Sequence, residues 1–348
     1  MIERRIIIKS LDGMKTHMTK PVPLNVLELV GISESQTVHE AIKDSMDIAQ
    51  LIDDLGFKRL WYAEHHNTDT LAAVATPLLI GRAAALTKQI RVGSGGIMLP
   101  NHSPFRVAEE FGTLAQMFPD RIDLGLGRAP GTDGRTAQLI TRSSPEAQEF
   151  ADHIFDMSNW FSDEGETSRY PGVTTGVATG TKVPIWVLGS SMNGAYIAGR
   201  LGLPYSIATH FMPDDFAKKL AFYRESFDPK APTATIEKPY TMGAINVVVA
   251  PTDEEAEKIF TSTERMFANI HLGKRELIQP PVAPEELQER AYTAHALRVK
   301  AVGSPETVKE ELESFVEESG VDELIVVTYT YDVEDRKRSM ELLADLWF

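Results

Sequence analysis

From Leu24 onward, short apolar runs alternate with longer amphipathic stretches, and this rhythm restricts the possible folds more than any other feature of the chain. Apolar runs without polar interruption suit strands buried on both faces, and apolar residues recurring every three and four positions suit the helices that cover them. Eight strand candidates stand out: Leu24–Leu29, Arg59–Ala63, Ile90–Met98, Arg121–Leu126, Pro184–Leu188, Tyr205–Ala208, Thr241–Val249 and Glu323–Thr328. Between them lie helical stretches such as Val38–Leu55, where Ile42, Met46, Ala49, Ile52 and Leu55 share one face. Eight βα units predict an α/β fold of the (β/α)8 TIM-barrel type over residues 21–348, with residues 1–20 as an N-terminal extension. The rival architecture, an open doubly wound sheet, calls for a glycine-rich turn after its first strand. Here Val30 and Gly31 lead instead into a Ser/Glu-rich loop. Two stretches break the rhythm, Ala129–Val183 and Phe267–Gly303, and both read as insertions in loops on the barrel. The second contains Pro280, Pro281 and Pro284, which favour an extended, lid-like connection.

Composition narrows the function. A formal net charge of −15 with no sustained basic run opposes nucleic acid and anionic membranes as partners, so an anionic ligand needs a local positive site. The absence of cysteine excludes disulfides, thiolate metal sites and thiol nucleophiles, and fits a cytoplasmic location. No stretch approaches the roughly 18 apolar residues of a membrane-spanning helix. The basic residues Arg4, Arg5, Lys9, Lys15 and Lys20 flank an apolar run, Ile6–Ile8, that is too short for a signal-peptide core.

Four motifs fall where strands end, which in a barrel is the active face. The first is Glu64-His65-His66-Asn67 after the second strand. Imidazole and carboxylate side chains here suit acid–base work, while two adjacent histidines on an extended chain point to opposite faces and are poorly placed to share a metal ion. The second runs from Gly93-Ser94-Gly95-Gly96 through Asn101 to Pro104. Three glycines weaken a strand, and close approach of a flat ligand to bare backbone would compensate. The third, Arg121 to Asp133, presents Arg128 as a cation just past the fourth strand. After the fifth strand, Gly189-Ser190-Ser191-Met192-Asn193-Gly194 leads into a helix predicted over Ala195–Leu201. Serine and asparagine cap helices well, and free amides at a helix N-terminus bind phosphate. The loop lacks the triphosphate-binding pattern, so it reads as a monophosphate cradle.

Taken together, EHHN, GSGGIMLPNHSP and RIDLGLGRAPGTD resemble the single-subunit members of the bacterial-luciferase-like flavin monooxygenases, from about Pro23 to the C-terminus. The resemblance implies a (β/α)8 barrel and reduced FMN, as cosubstrate or loosely bound, supplied by a separate flavin reductase or reduced in place by NAD(P)H. It implies oxidation of a small organic substrate by molecular oxygen through a flavin hydroperoxide, in a homodimer. On this chain it makes His65 the active-site histidine, with Glu64 and His66 beside it. It makes Ser94, Gly95, Gly96, Asn101, Arg128, Gly189, Ser190, Ser191, Asn193 and Gly194 the cofactor contacts. A non-prolyl cis peptide is expected at Ser94–Gly95, and Trp61, Met98 and Phe105 are expected to wall the ring. Gly127 stands where light-emitting members carry a reactive cysteine. The alternatives are a flavin- or deazaflavin-dependent hydride-transfer enzyme, a flavin-binding protein without turnover, and a metal-dependent hydrolase on the same barrel.

Overall fold

A computed structural model describes residues 21–143, 146–288 and 290–348. Strands β1 (Leu24–Glu28), β2 (Arg59–Tyr62), β3 (Arg91–Met98), β4 (Ile122–Gly127), β5 (Ile185–Gly189), β6 (Tyr205–Ile207) and β7 (Thr241–Val249) each pair in parallel with the next. After a short strand β8 (Lys300–Gly303), strand β9 (Glu323–Val327) pairs with β7 on one side and β1 on the other, which closes the ring. The barrel therefore has eight staves, β1 to β7 and β9, as the rhythm of the sequence predicts. The ninth strand was not foreseen. β8 lies in the stretch read as a loop insertion, and it pairs with the upper half of β7, from Asn246 to Val249, while the lower half serves β9. Lys-Ala-Val-Gly has two strongly apolar residues, too few to display a period.

Helices cover the outside in chain order: α1 (Val38–Asp54), α2 (Thr76–Leu86), α3 (Pro104–Met117), α4 (Gly134–Ile140), α5 (Ala147–Phe161), α6 (Met192–Arg200), α7 (Phe216–Ser226), α8 (Asp253–His271), α9 (Arg290–Thr293), α10 (Pro305–Ser319) and α11 (Val333–Trp347). Their starts follow capping chemistry. Thr37 and Glu40 form a reciprocal capping box on α1, and Thr252, Ser304 and Asp332 cap α8, α10 and α11. Alternate strand residues such as Leu24, Val26, Leu60 and Leu124 point outward into the large core beneath these helices. Their neighbours Leu27, Trp61, Trp186, Ala244 and Ile325 point inward and fill the barrel. Among the described residues, no helix is long and apolar enough to cross a membrane.

The N-terminal end of the barrel is plugged by charge. Arg59 on β2 bonds to Asp123 on β4 at 2.5 Å and to Glu323 on β9 at 3.0 Å, and Asn25 on β1 donates to Glu323 at 2.9 Å. Arg91 and Trp61 also reach Asp123, at 2.6 and 3.2 Å, while Lys58 and Tyr240 reach Glu323. Each buried charge is thus met by several partners, which is the condition for tolerating it inside. Above this layer Trp61 and Trp186 meet edge to face with centroids 5.3 Å apart. They make an apolar layer over the charged one, and Trp61 also borders the cavity toward the strand C-termini.

Candidate active site

Over that layer lies a cavity of about 900 Å³ lined largely by apolar groups. Its polar end is built by β4, β5 and the turn into α6. Ser191 caps α6, its Oγ accepting from the Gly194 amide at 3.2 Å. Tyr205 on β6 donates to the Gly189 carbonyl at 3.1 Å and holds the turn in place. The helix therefore begins three residues earlier than the Ala195 start expected from sequence. Arg128, just past the end of β4, lines the cavity with Gly189, Ser190, Ser191 and Gly194. A guanidinium-bearing residue, two serines and a helix N-terminus thus border the same cavity, a combination suited to an anion.

The chain leaving β2 places His65 on the cavity and sends its neighbours elsewhere. The His65 amide donates to the Ala73 carbonyl at 2.9 Å, which fixes the turn. Glu64, buried and absent from the cavity lining, accepts from the Met98 amide at 2.9 Å, from His66 Nε2 at 2.7 Å and from His102 Nε2 at 2.9 Å. Burial by itself would raise its carboxyl, but the bonds from His102 and His66, with the Met98 amide, outweigh this and pull it down to about 2. His102 moves the other way: burial lowers its imidazole, and the bond to Glu64 raises it above the ordinary value. Glu64, His66 and His102 thus form a brace that ties the end of β2 to the end of β3.

His65 itself is pushed down by burial, against the pull of Glu64, and its Nδ1 is sealed with no hydrogen-bond partner. A second histidine shares this condition. His210, three residues past β6, is buried, lines the cavity and has an unpartnered Nδ1. Burial drives its imidazole down to about 3, and the nearby His65 adds to the shift. The sequence reading passed over it, although it obeys the rule that singled out His65, a chemical side chain just beyond a strand's C-terminal end. Also passed over was the far wall, formed by Phe211, by Met266, Phe267, Ile270 and His271 of α8, and by Tyr292, Thr293 and Ala296 at α9. Several of these fall within the second insertion, whose path only the fold reveals.

Of the expected cofactor contacts, Gly95, Gly96, Arg128, Gly189, Ser190, Ser191 and Gly194 line the cavity. Ser94, Asn101 and Asn193 stand outside the lining. Ser94 Oγ is spent on the neighbouring strand, donating to the Gly125 carbonyl at 2.8 Å and accepting from the Gly125 amide at 3.0 Å. Asn101 donates to the Pro130 carbonyl at 2.9 Å, bracing the loop after β4. Asn193 is exposed on the first turn of α6. The cis peptide is at Gly95–Gly96, one residue beyond the expected place. A Cβ on Gly93 would strike the Asp123 backbone and one on Gly96 the Gly125 carbonyl, so both serve strand contact, and Gly95 and Gly96 also border the cavity. Trp61 and Met98 line it too, but Phe105 packs edge-on against Trp160 of α5, 5.1 Å away, in the outer core.

Comparison with known proteins agrees with this architecture, since the model of the luciferase-like monooxygenase family matches residues 24–323. The chain belongs to that family. Within it, an uncharacterised protein of Bacillus subtilis, YvbT, is 40% identical over 338 residues, covering 96% of this chain and 99% of its own. A luciferase-like monooxygenase of Escherichia coli K12 is 38% identical, covering 94% of this chain and 97% of its own. The solved structure of apo-MsnO8 superposes with a TM-score of 0.81 at 33% identity, covering 94% of this chain and 98% of that one. More distant solved structures share the fold alone, and their names carry different cofactors. The oxygenating constituent of a Pseudomonas putida 3,6-diketocamphane monooxygenase, solved with FMN, has a TM-score of 0.70 at 19% identity, covering 93% of this chain and 97% of its own. An F420-dependent secondary alcohol dehydrogenase has 0.65 at 17%, covering 93% of this chain and 99% of its own. Flavin-type cofactors are therefore common to the neighbourhood.

Proposed function

We propose that this chain is an FMN-dependent monooxygenase that oxidises a small organic substrate with molecular oxygen. The observation that carries the reading is one largely apolar cavity lined at one end by Arg128, Ser190 and Ser191 and on its wall by a histidine, His65. A flat, singly phosphorylated ligand fits this layout. Arg128, the two serine hydroxyls and the α6 amides would hold the phosphate, and Leu27, Trp61, Gly95, Gly96 and Met98 would border the ring. When bound and reduced, such a flavin supplies the electrons that activate oxygen.

The chain's own residues do the rest. The apolar walls exclude water. His65, whose imidazole burial pushes down, can hold or pass a proton at one ring nitrogen. In this reading Glu64 and His66, which brace the ends of β2 and β3, and Asn101, which braces the loop after β4, act as positioning residues. A separate flavin reductase or NAD(P)H would provide the electrons, and we place the enzyme in the cytoplasm as a homodimer.

Titration with FMN followed by flavin fluorescence tests the cofactor assignment. Arg128→Ala is expected to weaken FMN binding about tenfold to a hundredfold, the range of one charge-assisted hydrogen bond of about 1.5–3 kcal/mol. Equal affinity in the variant, or no binding by the wild type, would overturn the assignment. For the reaction, labelled oxygen from O2 should appear in the product. Hydride transfer to or from a substrate without oxygen uptake would favour the deazaflavin-type alternative instead.

A further inference from the structure

Three large apolar side chains, Phe211, Ile270 and Tyr292, line the cavity and are also exposed, so they stand where it meets solvent. Ile270 at the end of α8 and Tyr292 on α9 belong to the second insertion, whereas Phe211 lies on the loop between β6 and α7. The seams that join these parts differ in strength. The prolines of the insertion favour a lid, yet buried contacts tie it down on two sides. Toward the loops after β1 and β2, the Ile278 amide donates to the Ile32 carbonyl at 2.8 Å and the Glu34 amide to the Ile278 carbonyl at 3.0 Å. Thr70 Oγ1 donates to the Glu276 carbonyl at 2.8 Å, and the Ile278 side chain is buried. Toward α8, the Val282 amide donates to Thr261 Oγ1 at 2.9 Å, and Arg290 makes two bonds of 3.0 Å to the buried Glu264. Beyond Arg290, Thr293 and Leu297 are buried as well.

The seam to the β6–α7 loop is of another kind. The first part of that loop is fixed: the Thr209 hydroxyl is bonded to the Ala244 carbonyl, and the His210 carbonyl accepts from Asn246 Nδ2 at 2.6 Å. After it Phe211, Met212, Asp214 and Asp215 are exposed, Pro213 packs inward, and Asp215 enters α7 through left-handed backbone with φ 50°. Lys219 Nζ donates to the Asp214 carbonyl at 2.5 Å and tethers the base of this flap. Among the described residues, the side chain that bonds the flap to the insertion is the Asp214 carboxylate, 2.9 Å from both His295 Nε2 and Arg298 Nη2. All three partners are exposed. Ion pairs in water hold weakly and yield to salt, unlike the buried bonds of the other two seams.

We propose that Phe211–Asp215 is the gate of the cavity and that Asp214 is its latch, closed on His295 and Arg298 of a fixed insertion. Release of the latch lets the flap turn about its two tethered ends and carries Phe211 off the mouth. The gate serves whatever ligand fills the cavity, so it stands apart from the flavin reading.

Stopped-flow fluorescence tests the gate with two probes, oxidised FMN and 1-anilinonaphthalene-8-sulfonate. Asp214→Asn keeps the size of the side chain and removes its charge. It is expected to raise association and dissociation rates together by about twofold to fivefold, with Kd within twofold, because a gate alters the path and not the site. The chain has no cysteine, so Asp214→Cys combined with His295→Cys can be bridged specifically by a short, reducible bis-maleimide. The bridge is expected to slow entry and exit at least tenfold, and dithiothreitol to restore both. Rates that ignore both the substitution and the bridge, a change in Kd without a matching rise in association, or failure of both probes to enter would overturn the proposal. Should FMN fail to bind while the naphthalene probe still responds to the latch, the flavin reading falls and the gate remains. Should FMN bind at rates indifferent to the latch, the gate falls and the flavin reading remains.

Discussion

Gly125→Ala is expected to destabilise the protein by more than about 4 kcal/mol, or to leave it insoluble, because the new methyl has nowhere to go. A Cβ at this position of β4 would collide with the Ser94 carbonyl oxygen on β3 and stand 2.7 Å from Leu188 Cδ1 on β5. The first obstacle is backbone in a hydrogen-bonded ladder, which cannot rotate aside. Ser94 is further locked by its two bonds to Gly125. Relief would come only by spreading β3 from β4, and that would move Gly95, Gly96 and Arg128 together. Gly134→Ala is the control, since a Cβ there meets nothing within 4 Å. Thermal melts and soluble yield should separate the two variants widely. A Gly125→Ala protein melting within 2 °C or so of the wild type would refute the packing account; on general scaling, a loss of several kcal/mol in a chain of this size moves the midpoint by about 5 °C or more.

Glu64→Gln is expected to cost about 2–4 kcal/mol near pH 6, because a buried carboxylate with four donors becomes an amide with one acceptor oxygen. The pH dependence gives the test its sign. A carboxyl held down at about 2 stabilises the fold only while ionised, so its contribution is complete above its ordinary value of 4.5 and fades as pH falls toward 2. His102 is raised, so its contribution is complete below 6.5 and is lost at higher pH, through its folded value. The gap between wild type and variant in denaturant midpoint should therefore be widest between pH 4.5 and 6.5. A gap of the same size at pH 3 and pH 9 would mean that the charge pairing is not what the brace contributes.

The architecture was readable in advance because strand burial on both faces leaves a mark in every segment. All eight staves of the barrel match the eight sequence candidates within a residue or so at their ends. β8 escaped because four residues that merely pair with the upper half of β7 are too few to display an apolar period of their own. The motifs also marked the right end of the barrel, for a chemical side chain past a strand end is a local property. What the sequence could not do was separate residues that reach the cavity from neighbours that support them. His65 and Glu64 are adjacent, yet one lines the cavity and the other anchors two strand ends. Ser94 and Gly95 divide in the same way.

The sequence by itself determined the parallel barrel, its capped helices and the glycine- and serine-rich strand ends, because each depends on side chains within a few positions of one another. Only the tertiary structure decided that His65 and His210, separated by more than a hundred residues, line one lumen, and that α8 and α9 contribute to its wall. The physical reason is closure: joining β9 to β1 turns a linear order of strands into a ring, and opposition across a ring has no counterpart along a chain.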